Sequence, residues 1–89
     1  MMNRKQLKTE FGKVVKGRRK ALQLSQVALA DVSGLHRTYI SDVEGGRRNL
    51  SLLTMVQLAR ALEVSPAIFF AGVEFDPSNL PAKAVRPSR

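Results

Sequence analysis

Arg37, Thr38, Ser41 and Asp42 are the residues whose types and spacing best suit chemistry. On a helix these positions fall on one side, because residues three and four apart are neighbours. An arginine there offers a fork of donors that matches guanine O6 and N7, and a threonine offers a hydroxyl and a methyl that suit a base edge or a thymine methyl. Two roles are open to Asp42: accepting from cytosine N4, or repelling phosphate and so setting position. Arg47, Arg48 and Asn49 follow behind two glycines. Catalysis finds no comparable set. The six acids outside the last fourteen residues are scattered, and Asp42 and Glu44, two apart, face different ways on a helix. His36 is the one histidine and there is no cysteine, which excludes thiolate metal sites and leaves no nucleophile–base pair. The chain therefore reads as no enzyme, with no metal and no cofactor.

The elements that must hold these residues are helices separated by stop signals. Leu7, Phe11, Val14, Val15 and Leu22 form a helical stripe from Arg4 to Leu22, weakened at Gly12 and Gly17 by about 1 kcal/mol each relative to alanine. Ser25 is a good N-cap for a short helix from Gln26 to Val32, and Gly34 suits a left-handed stop. A second short helix runs from Arg37 to Glu44 and ends at Gly45–Gly46. Ile40 and Val43 share its inner face and suit packing on Ala30. Ser51 caps a helix from Leu52 to Leu62, with Leu52, Met55, Leu58, Ala59 and Leu62 expected inside. Ser65–Pro66 opens a last helix carrying Ile68, Phe69 and Phe70. Five helices and no strand make the fold class all-α. The pair of helices over residues 26–45 has the length of a helix-turn-helix.

Charge points to the partner. Lysine and arginine outnumber aspartate and glutamate by 15 to 7, and residues 1–25 alone hold eight cations against Glu10. A basic segment on a folded domain suggests a polyanion, most often nucleic acid. A chain of 89 residues supports one small core, so residues 1–75 are expected to form one domain. Residues 76–89 hold three prolines and two aliphatic residues larger than alanine, and are expected to form a flexible basic tail. No apolar run approaches the roughly 18 residues of a membrane span, and the N-terminus has no signal core, so a cytoplasmic protein without a membrane partner is expected.

The stretch LSQVALADVSGLHRTYISDVEGGRRNLSL resembles the helix-turn-helix of the Cro and phage-repressor class, the XRE family. The likeness runs from Phe11 to Phe70, in order and spacing. RTYIS with RRNLS, and the VSxxxFF pattern from Val64 to Phe70, are most similar to the controller proteins of restriction–modification systems. The resemblance implies a five-helix lambda-repressor-like domain whose second short helix enters the DNA major groove. Its first turn carries Arg37 and Thr38, with Ser41 and Asp42 one turn on. The resemblance implies backbone contact for Gln26, at a helix N-terminus where phosphate is favoured. It implies backbone or mixed contacts for Arg47, Arg48 and Asn49. Tyr39 is divided between packing and DNA contact; contact is preferred because Ile40 and Val43 already fill the inner face. Arg19 and Glu44 stand where phage-repressor domains have a structural salt bridge. Arg18 stands where the family has an apolar residue, and its stem is expected to cover the core edge while its head reaches solvent. His36, where the family often has serine, reads as a cap or surface residue.

The function these readings imply is a sequence-specific, double-stranded-DNA-binding transcriptional regulator. It would act as a homodimer on a partly symmetric operator, repressing or activating, with no small-molecule effector. The alternative is an antitoxin or other protein-binding module on the same fold. The dimer surface is expected at Ile68, Phe70 and Val73, joined by Leu53 or Val56, because exposed apolar patches mark interfaces. The competing arrangement folds Phe70 and Phe75 back on the first helix and leaves a monomer that dimerises only on DNA.

Overall fold

The structure, a computed structural model, describes residues 2–73. The expected tail at 76–89, Phe75 and the domain boundary at 75 lie outside the described residues. Four α-helices follow in order: α1 (Arg4–Ala21), α2 (Gln26–Ser33), α3 (Arg37–Glu44) and α4 (Leu52–Ala61). The expected fifth helix is instead a 3₁₀ helix, Pro66–Phe70. Five residues allow little more than one turn, and the tighter i→i+3 pattern suits so short a piece. No strand occurs among the described residues, so the architecture is all-α.

Side chains start the helices. Backbone N–H groups of Ala28, Thr54 and Ala67 donate to the hydroxyls of Ser25, Ser51 and Ser65. Asn3 and Gln6 add a capping box at α1, each side chain accepting from the other's backbone at 2.8 and 2.9 Å. His36 occupies the N-cap of α3 without a side-chain cap bond.

All four α-helices end alike. A backbone N–H beyond the helix reaches back to the carbonyl five residues earlier: Leu24 to Arg19, Leu35 to Ala30, Arg47 to Asp42, and Val64 to Ala59. This is the Schellman closure, which places a left-handed residue just past each helix. Gly34 and Gly46 take that conformation at φ 76° and 72°, but Gln23 and Glu63 take it at 59° and 60°.

The core draws on every helix: Phe11 and Val15 of α1, Leu29 and Ala30 of α2, Ile40 and Val43 of α3, Leu58 and Ala59 of α4, then Leu62 and Phe69. Phe69 stacks at 4.4 Å on Phe11, which fastens the 3₁₀ helix to α1. Burying each large side chain contributes about 1.5–3 kcal/mol. Two expectations are corrected. Leu52 is 76% exposed rather than inside. One turn back from Met55 lands between Ser51 and Leu52, so Leu52 points aside from the Met55–Leu58–Leu62 line. Arg18 does not send its whole head to solvent: its Nε donates to the Leu62 carbonyl at 2.9 Å. A carbonyl at the end of α4 is thereby satisfied, and α1 is tied to α4.

Candidate nucleic-acid interface

The seat of α3 determines what it can present. Ile40 and Val43 are buried to within 1% of complete, and they lock the inner face of α3 against α1 and α2. Gly12 permits the approach: a Cβ there would lie 2.5 Å from the Val43 carbonyl oxygen. Sequence reading took Gly12 only as a weak point; its place in an otherwise regular apolar stripe was the available signal.

A buried ion pair holds α3 in register. Arg19 donates from Nε to Glu44 Oε2 at 2.6 Å and from Nη2 to Oε1 at 3.0 Å, while its Nη1 donates to the Leu24 carbonyl at 2.8 Å. The two side chains are 10% and 4% exposed. The hydrogen bond to Glu44 raises the Arg19 pKa above its ordinary value; burial opposes this and the Coulombic attraction adds to it. Gln26 joins the same group, its Nε2 donating to Glu44 Oε1 at 3.1 Å. The amide is thus oriented from within the protein at the start of α2, a contact that sequence reading did not foresee.

Outside this seat, Arg37 and Thr38 are exposed on the first turn of α3. Among the described residues Arg37 has no ion-pair partner. Ser41 and Asp42, half-buried, lie one turn further on. Asp42 does not stand free: Arg47 reaches its Oδ1 from Nε and Nη2, and Arg48 reaches its Oδ2 from Nε, all at 3.3 Å. Tyr39 is in contact within the protein on two sides. It packs half-buried on the core, and the Arg48 guanidinium lies 4.8 Å over its ring. Asn49 is exposed in the same loop.

The flank of this surface is also basic. Lys5, Lys13, Lys16 and Lys20 are exposed on α1 and form no ion pair among the described residues. Their steps of eight, three and four residues gather them along one side of the helix. The arrangement offers polyanions a positive field, with a donor-bearing helix as its centre.

Known proteins share this fold. The family model described as helix-turn-helix matches residues 15–69. The control protein C.SmaI of Serratia marcescens is 51% identical over 51 residues, a stretch that is 57% of this chain and 61% of that protein. The chain thus spans about three fifths of that relative's length. The restriction–modification controller protein C.AhdI of Aeromonas hydrophila superposes with a TM-score of 0.69 at 43% identity, over 71% of this chain and 96% of that one. The controller protein C.Esp1396I, solved as a tetramer with its natural 35 base-pair operator, superposes with a TM-score of 0.66 at 38% identity, over 72% of this chain and 84% of that one. With a family match that runs from Val15 in α1 to Phe69 in the 3₁₀ helix, this chain belongs to the helix-turn-helix family and is similar to the control proteins of restriction–modification systems.

Proposed function

We propose that the chain is a sequence-specific regulator of transcription that binds double-stranded DNA as a homodimer on a partly symmetric operator. The observation that carries this reading is the exposed first turn of α3, where Arg37 and Thr38 lie in front of a buried seat. A helix fits the major groove, and its first turn meets the base edges. Arg47, Arg48 and Asn49 are assigned to backbone or mixed contacts beside the groove, with Arg47 and Arg48 on phosphates, and Gln26 is assigned to the backbone as well. Phosphate contacts set register, and base contacts select sequence. The likeness to C.Esp1396I, a controller solved on its operator, supports the same partner.

The dimer reading rests on apolar side chains left outside the core. Ile68 and Phe70 are 37% and 52% exposed, and Leu53 and Val56 are exposed on α4 nearby in sequence. Val73, half-buried, is assigned to the edge of the same face. A two-fold axis would bring this patch onto itself and set two copies of α3 about 34 Å apart, one turn of DNA. No helix among the described residues is long and apolar enough to cross a membrane. Work on DNA in the cytoplasm suits such a chain. The test is selection of bound sequences from a random duplex pool. Enrichment of a motif with two related half-sites one helical turn apart is expected. A pool that stays random after repeated rounds would reject the reading.

A further inference from the structure

Both oxygens of the Asp42 carboxylate are engaged by the two arginines assigned to the DNA backbone. Arg47 commits Nε and Nη2 to it, and Nη2 also donates to the Ser41 carbonyl at 3.3 Å. Those are the donors a phosphate would need. A carboxylate and a phosphate present anionic oxygens to a guanidinium in the same forked geometry. We propose that Asp42 is an internal competitor for phosphate, which holds Arg47 and Arg48 in the free protein and is displaced by the DNA backbone. The proposal rests on the DNA-binding reading given above.

The two kinds of ion pair in this molecule explain why one releases and the other does not. Arg19 and Glu44 meet at 2.6 Å with almost no exposure, so their separation would leave a bare buried charge. Arg47, Arg48 and Asp42 meet at 3.3 Å with side chains 60%, 46% and 27% exposed. Exposed pairs of that kind hold weakly and are screened by salt. A duplex, with one phosphate charge per about 1.7 Å of its axis, outcompetes a single carboxylate. The cost of displacing Asp42 lowers affinity for every duplex, because the contacts being exchanged are sequence-independent. Asp42 thereby restrains random binding to a level at which the contacts of Arg37 and Thr38 decide the outcome.

The experiment compares the full chain with Asp42→Asn and Asp42→Ala, and repeats Asp42→Asn in an Arg47→Ala, Arg48→Ala background. A random-sequence duplex is the probe, titrated across salt concentration, with a thermal melt of each variant to verify folding. Both single variants are expected to bind about three- to tenfold more tightly at low salt. Their log–log salt slope is expected to steepen by about one. In the background lacking both arginines, Asp42→Asn is expected to change little. Folded single variants that bind no better than the parent would overturn the proposal. So would an equal gain in the arginine-free background, which would reduce Asp42 to one unit of net charge. Failure of the parent chain to bind any duplex would instead sink the DNA-binding reading, and this proposal with it.

Discussion

Gly12 and Val43 meet where α1 crosses α3, with no room for a side chain between them. A Cβ at position 12 would lie 2.5 Å from the Val43 carbonyl oxygen and 2.7 Å from that of Glu44. Both obstacles are backbone, so they cannot swing aside. Gly12→Ala should therefore destabilise the protein by about 1–3 kcal/mol, although alanine favours a helix by about 1 kcal/mol. Gly17 lies on the same helix with nothing within 4 Å of a new Cβ. Gly17→Ala should stabilise by about 1 kcal/mol. Thermal melts of the two variants moving in the same direction would contradict the close approach.

Arg19→Met should cost about 3–5 kcal/mol, because Glu44 would be left charged and buried with only the Gln26 amide for company. The raised Arg19 pKa gives the pair a simple pH signature. Its stabilisation is fully present below the ordinary arginine range and is lost only as pH rises through the raised folded value. Arg19 should thus add no slope to stability through neutral pH. A melt of Arg19→Met that matches the parent would remove the pair from the stability account.

Gln23 and Glu63 occupy left-handed closures that glycine occupies at the other two helices. A side chain in that conformation costs about 1–2 kcal/mol, while glycine gives back part of the gain through its freer unfolded chain. Gln23→Gly and Glu63→Gly should each raise stability by up to about 1 kcal/mol. Denaturant midpoints that fall in both variants would show that the native side chains make compensating contacts.

Arg37→Ala should lower affinity for the selected operator by about 1–3 kcal/mol and leave random-duplex binding almost unchanged. Equal losses on both duplexes would reassign Arg37 to the phosphates.

Ile68→Asp combined with Phe70→Ser should convert a dimer to a monomer of 9.8 kDa in sedimentation at micromolar concentration. Both side chains are exposed, so the single domain should still fold. A parent protein that already sediments as a monomer, or a dimer indifferent to the change, would move the assembly surface elsewhere.

Much of the framework was legible in the sequence because its signals are local. Ser25, Ser51 and Ser65 announce helix starts through a hydroxyl that reaches only three residues along the chain, and Gly34 announces a stop through its own φ. Apolar spacing gave the inner face of α3 and most of that of α1, whose Leu7 is 40% exposed, for the same reason. The Arg37–Thr38 turn followed once the short helix around it was bounded. What spans the fold was not legible. The Gly12–Val43 approach, the Arg18 bond to the Leu62 carbonyl and the Gln26 bond to Glu44 join positions far apart in sequence, and their partners depend on how whole helices cross. Leu52 looked internal because periodicity counts turns but does not know where the neighbouring helices lie. The pairing of Asp42 was not legible because a list of residues does not show that the chain, closing behind Gly46, returns Arg47 and Arg48 to it. Local chemistry determined the helices; the crossing of α1 with α3 decided which of their polar side chains are spent inside the protein and which stay available to a partner.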